Sequence, residues 1–171
     1  MNKKILVYEN FFDDLLMKEC ISYSNSIENN FEDENIFKKN IFYWEKNIVE
    51  DSNIIFINLL NNQSTLYNTI YKLLKDNFDI KITGVNFYYW TQGSHIPWHN
   101  DTGYKGAITI YLNDNWNINH GGLFLFKSDN DNINALVPKK NMAVIQLGGV
   151  PHSVSATTKN SIIRKTIQMF F

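Results

Sequence analysis

The sequence predicts a mainly β fold with packed helices, an α+β jelly roll whose N-terminal helices lie on one sheet. Three observations lead there. Apolar residues recur at helical spacing in two segments of the first half; they alternate in short runs through the second half; and no Pro/Gly/Ser-rich linker or internal repeat separates the halves. A chain of 171 residues, 44% hydrophobic and 15% aromatic, can bury one substantial core. One domain over residues 1–171 is therefore expected, with 1–79 as helical support and lid elements and 80–171 as the jelly-roll core.

The elements follow in order. After a short apolar run at Ile5 to Tyr8, the segment Asp13 to Ile27 places Leu16, Cys20, Tyr23 and Ile27 on one helical face behind Asp13 and Asp14 as caps. Asn29 to Asn62 is polar and Asn-rich, punctuated by Phe42, Tyr43 and Trp44, and reads as irregular structure with short strands. Ser64 to Phe78 returns to helical spacing, with Leu66, Ile70, Leu73 and Leu74 on one stripe behind a Ser/Thr cap. From Ile80 the period falls to two. Strands are expected at Ile82 to Trp90, Ala107 to Leu112, Leu123 to Phe126, Ala135 to Val137, Met142 to Leu147, Val154 to Thr157 and Ile163 to Phe171. Gly103 to Gly106, Asn113 to Gly122, Lys127 to Asn132 and Gly148 to Pro151 supply the turn residues between them.

Composition excludes several functions. The formal net charge is -1, with one arginine in the whole chain, so there is no electrostatic footprint for nucleic acid or an anionic membrane. Cys20 is the sole cysteine, which excludes an internal disulfide and fits a reducing compartment. The first residues are too short an apolar run for a signal peptide, and no run approaches the roughly 20 residues that span a bilayer. A cytoplasmic location is expected. Oligomeric state is not legible, since no coiled-coil seam is present.

The chemistry-bearing residues lie in the second half. On an extended segment, side chains two apart point the same way, so His99 and Asp101 face a common point. His152 enters a later strand behind the Gly149-Val150-Pro151 turn. Two histidines and a carboxylate with positions left open suit non-haem Fe(II). A lone His-X-Asp triplet equally fits a hydrogen-bonded surface pair, and His95 and His120 read as solvated loop residues. Arg164, on the last strand, shares its face with Thr166, so a guanidinium and a hydroxyl can converge on a bound acid, the task that lysine does poorly. Trp44, Trp98 and Trp116 stand in loops expected around the mouth and offer flat apolar faces to a substrate, whereas Trp90 reads as core.

From about Val85 to Phe171 the ordered set of residues resembles the prolyl-hydroxylase-like branch of the iron and 2-oxoglutarate dioxygenases. The set is Tyr89, Gly93, His99-Asn100-Asp101, Ile110-Tyr111-Leu112-Asn113, Trp116, Gly121-Gly122-Leu123, Pro138, Pro151-His152-Ser153-Val154 and Arg164-Lys165-Thr166. The resemblance implies a cupin-like double-stranded β-helix with Fe(II) on His99, Asp101 and His152. It further implies that Arg164 binds the C5 carboxylate of 2-oxoglutarate, with Tyr111 and Thr166 assisting and Tyr89 lining the pocket. O2 is the other co-substrate, and ascorbate is an accessory option. Hydroxylation of a C–H bond is then expected, with release of succinate and CO2, because Asp101 occupies the position that a halide would need.

The expected substrate is a prolyl residue in a peptide or protein, with Trp98 and Trp116 as substrate contacts. A free amino acid or other small metabolite is the alternative. Repair of alkylated nucleic acid is disfavoured because that branch carries a second arginine, which this chain lacks. A jelly-roll binding protein without chemistry would be marked by loss of a ligand, and none is lost.

Overall fold

The computed structural model describes residues 5–39, 52–128 and 132–171. Phe42, Tyr43 and Trp44 lie outside the described residues.

Both helices form where the periodicity places them. Helix α1 spans Asp14–Ile27, and the Asp13 carboxylate accepts from the Leu16 amide at 2.8 Å. Helix α2 spans Thr65–Phe78 behind Ser64, whose hydroxyl accepts from the Tyr67 amide at 3.2 Å. It stops at Asp79 in the left-handed conformation, where the Asp79 N–H turns back to the Leu74 and Lys75 carbonyls.

Eleven strands are described: β1 (Ile5–Tyr8), β2 (Lys38–Lys39), β3 (Ile55–Leu59), β4 (Asn86–Trp90), β5 (Ile96–His99), β6 (Gly106–Tyr111), β7 (Phe124–Lys127), β8 (Ile133–Leu136), β9 (Ala143–Leu147), β10 (His152–Val154) and β11 (Arg164–Phe170). They pair antiparallel in two sheets, ordered β1-β9-β6-β11-β4-β3-β2 and β5-β10-β7-β8. The architecture is a double-stranded β-helix with the helices on one face of the larger sheet.

Alternation along the larger sheet separates its two faces. Phe87, Tyr89, Ile110 and Ile167 point to the helices and join one cluster with Leu16, Cys20, Ile70 and Leu74. Tyr88 and Trp90 point the other way and pack with Ile55, Ile57, Ile96 and Val154. Tyr111 and Val144 do the same with Phe124 of the small sheet. The second face is where the site forms.

Some elements depart from the sequence reading. Ile96–His99 is a strand, although Thr91 to Trp98 reads as a loop. Pro97 removes an amide and hides the pattern, which β5 tolerates because it is an edge strand. The strand read at Val154 to Thr157 instead runs His152–Val154, and Thr157 makes only an isolated bridge to Gly121. β3 is one of the short strands read in Asn29 to Asn62, but it and β1 join the main sheet, by pairing with β4 and β9, where the first 79 residues read as support and lid elements.

Asn141 joins the N-terminal region to this sheet. It sits in the turn before β9 at φ 58, accepts from the Phe12 amide at 2.9 Å and donates to the Phe12 carbonyl at 2.8 Å. The residue is buried, and asparagine tolerates the left-handed conformation better than most. Asn141→Ala is expected to lower stability by about 2 kcal/mol, since two buried backbone groups of Phe12 lose their partner. Denaturant unfolding checks this, with a lower midpoint and an unchanged slope as the expected outcome.

Candidate active site

The small sheet brings the two candidate ligand histidines together. His152 on β10 lies directly opposite His99 on β5 in the register, with ring centroids 4.2 Å apart. Asp101 follows two residues past His99, just beyond the strand end. Its Oδ1 lies 3.7 Å from His99 Nε2 and its Oδ2 lies 3.6 Å from His152 Nε2. One ligand atom from each of the three residues falls within 4.8 Å of the others.

Backbone carbonyls settle which ring nitrogen is free. His99 Nδ1 lies 2.8 Å from the Pro97 carbonyl and His152 Nδ1 lies 2.9 Å from the Val150 carbonyl. A carbonyl only accepts, so each Nδ1 donates, and in a neutral ring the lone pair is then on Nε2, the nitrogen on the Asp101 side. Burial pushes the His152 pKa down, and the neighbouring His99 pushes the same way, against the Val150 carbonyl and Asp101. A neutral imidazole is the form that ligates a metal.

The large sheet supplies a second feature on the facing wall. Arg164 opens β11 and is 1% exposed. Its guanidinium carbon lies 4.5 Å from the Trp90 ring centroid and 5.1 Å from that of Tyr111. Among the described residues, Arg164 Nε, Arg164 Nη1 and Tyr111 Oη are buried with no hydrogen-bond partner. Burial raises the Tyr111 pKa, opposed by the adjacent Arg164, so the phenol keeps its proton and is a donor. A buried cation and a buried hydroxyl, both lacking an acceptor, make a socket for a carboxylate. Arg164, His99 and His152 line one cavity with Trp90, Phe124 and Gln168.

Most of the residues singled out from the sequence converge here. Thr166 is fully buried on the Arg164 face and accepts from the Trp90 indole N–H at 3.1 Å, which leaves its own proton to donate. Trp98 is 43% exposed and lines a groove with His99, Asn100, Lys127, Ile133 and Pro151.

Tyr89 corrects the expectation that it lines the pocket. Alternation sends it to the helix side, where its hydroxyl donates to the Ser24 carbonyl at 2.9 Å among Phe31 and Phe37. Trp116 also turns away from the cavity. It is buried, and its indole N–H donates to the Gly121 carbonyl at 2.9 Å, which braces the turn next to Arg164. Neither His95 nor His120 joins the metal cluster among the described residues.

The roles of three residues escaped the sequence reading. Trp90 stacks on Arg164, and its register partner in the sheet is Arg164 itself, so the alternation held the signal. Gly122 has φ +61, and a Cβ there would stand 2.8 Å from Arg164 Cδ, so only glycine leaves the guanidinium its place. Gln146 reaches the ligands from β9, and nothing in its spacing marks it. A separate cavity lined by Phe78, Lys81, Tyr104 and Phe171 lies away from this site.

Fold and site together define a metal-dependent oxygenase built on a double-stranded β-helix. The family model of the 2OG-Fe(II) oxygenase superfamily matches residues 83–171, and the chain belongs to that superfamily. No curated protein sequence matches. Among solved structures, a Pseudomonas putida prolyl-4-hydroxylase is 13% identical with a TM-score of 0.75, over 99% of this chain and 92% of that one. A Trichoplax adhaerens prolyl hydroxylase, solved with a hypoxia inducible factor peptide fragment, is 15% identical with a TM-score of 0.75, over 99% and 83%. SnoN, a non-heme alpha-ketoglutarate-dependent epimerase from nogalamycin biosynthesis, is 9% identical with a TM-score of 0.70, over 98% and 76%.

Family membership implies Fe(II), with 2-oxoglutarate and O2 as co-substrates. The residues fit them: two imidazole nitrogens and a carboxylate for the metal, and orphaned buried donors for the far carboxylate of 2-oxoglutarate. No helix among the described residues is long and apolar enough to cross a membrane.

Two outcomes are expected. Asp101→Ala weakens Fe(II) binding by on the order of 100-fold or more, since even outer partners of metal ligands are worth about 10–100-fold; anaerobic titration checks it. Gly122→Ala drives a methyl group into Arg164 and weakens 2-oxoglutarate binding by roughly 10-fold or more while Fe(II) affinity holds, as for loss of one charge-assisted hydrogen bond; calorimetry on the Fe(II)-loaded protein separates the two.

Proposed function

We propose that this chain hydroxylates a prolyl residue in a peptide or protein, coupled to conversion of 2-oxoglutarate and O2 to succinate and CO2. The observation that supports a peptide is the groove beside His99. It is open to solvent and is walled by Trp98, Ile133 and Pro151. A prolyl residue within a chain needs an apolar wall and room for its flanks, and this groove offers both. The likeness to two prolyl hydroxylases agrees with this reading.

The residues divide the work. His99, Asp101 and His152 would hold Fe(II), which with 2-oxoglutarate and O2 supplies the oxidising chemistry. Arg164 and the Tyr111 hydroxyl would take the far carboxylate, so that the acid's other end faces the metal ligands across the cavity. Thr166 adds a donor on the same face. Phe124, whose ring centroid lies 5.6 Å from that of His152, and Val154 keep the wall apolar and exclude water. Trp98 would pack against the substrate at the mouth. The free Cys20 and the need to keep iron reduced both suit a cytoplasmic setting.

A small metabolite is the second reading, favoured by the likeness to SnoN, which shows this fold in an epimerase of nogalamycin biosynthesis.

Anaerobic addition of 2-oxoglutarate to the Fe(II) protein is expected to give a weak visible charge-transfer band that Arg164→Ala diminishes. Succinate release should then rise with proline-containing peptides and not with free amino acids; the reverse pattern would establish the small-metabolite reading. Trp98→Ala is expected to raise KM for the peptide by roughly 10-fold with little change in kcat, the signature of lost binding common to ground and transition states.

A further inference from the structure

Gln146 stands on β9 with its side chain between the sheets, and it is 5% exposed. Its amide nitrogen donates to Asp101 Oδ2 at 2.6 Å and lies 3.2 Å from His152 Nε2. Because His152 Nδ1 donates to the Val150 carbonyl, Nε2 carries a lone pair and is the acceptor in the second contact. An amide has two N–H groups, so one side chain serves two of the three ligands.

The two contacts differ in what a metal would do to them. A metal takes the His152 lone pair and so ends that contact. The Asp101 carboxylate has a second oxygen, and the bond from Gln146 can persist there while Oδ1, on the His99 side, faces the metal. The Asp101 carboxylate also faces His99 and His152, the other two residues of the cluster. Its side chain is only 15% exposed, so water does not easily replace the amide. A hydrogen bond to a charged carboxylate in a low-dielectric site is among the stronger ones and fixes orientation as well as energy.

We propose that Gln146 is a positioning residue of the metal centre, whose amide pins one oxygen of Asp101 so that the carboxylate offers the metal the other. This proposal rests on the reading of His99, Asp101 and His152 as ligands.

The test uses Co(II) as an oxygen-stable probe of the metal-free protein, with calorimetric titration and visible spectra of wild type, Gln146→Met and Gln146→Asn. Methionine keeps the length and loses the donors. Asparagine keeps the amide but is one methylene too short, and it gives the same reading if methionine is not accommodated. The expected result is a fall in Co(II) affinity of about 10–100-fold for both, the usual effect of losing a hydrogen bond to a metal ligand. The d–d bands should change in shape as Asp101 becomes free to offer both oxygens, while melting of the metal-free proteins stays at the wild-type value. Wild-type affinity and bands in the variants would overturn the proposal and leave the metal centre standing. So would a loss of affinity that merely tracks a loss of metal-free stability, since that marks a general packing role. Absence of Co(II) binding by the wild type would overturn the metal centre itself.

Discussion

The constraint on which the site depends is a guanidinium buried with no acid paired to it among the described residues. Arg164 lies against two aromatic faces in the gap between the sheets, and stacking on each is worth about 2 kcal/mol when desolvated. The two stacks are of the order of the roughly 3–5 kcal/mol that an unpaired buried charge costs, but they give Nε and Nη1 no acceptor. The surroundings are arranged around that deficit. Trp90 is held flat by its bond to Thr166, Gly122 withholds a side chain, and Trp116 secures the turn that carries Gly122. The protein thus keeps a cation ready, and on the proposed reading the far carboxylate of 2-oxoglutarate would supply the missing acceptor.

The two sheets have different tasks. The small sheet carries the histidines in one register pair, so their spacing is set by strand geometry and not by loop conformation. The large sheet carries the carboxylate socket and gains its rigidity from α1 and α2 behind it. Lys165, next to Arg164, reaches back to Glu28 and to Asn25 of the α1 region, which ties the start of β11 to the helix layer.

Much of this was legible in the sequence, for identifiable reasons. Both helices were marked by apolar stripes and by caps at Asp13 and Ser64 that do what their side chains suggest. His99, Asp101 and His152 were marked by spacing and turn residues, and Arg164 by being the sole arginine. Tyr89 was misread because a half-buried sheet has two faces. Resemblance to a motif fixes a position along a strand, while the side to which it points depends on where helices pack. The β5 strand was hidden by Pro97, and the sheet to which β1 and β3 belong was hidden because their pairing partners lie far away along the chain. Gln146 had no local signal, since its role arises only when β9 is laid beside the strand end that bears Asp101.

The division between sheets has a further consequence for selectivity. The residues proposed to hold the two ends of the acid belong to different layers, and face-to-face sheets stand about 10 Å apart. On that reading the gap would gauge the length of the diacid. Its setting belongs to the apolar residues that hold the layers apart, Ile57, Val154 and Phe124 among them, and not to either charged end. A change of volume in that spacer layer would shift the chain's preference between shorter and longer oxo-diacids while every ligand and the arginine stayed in place.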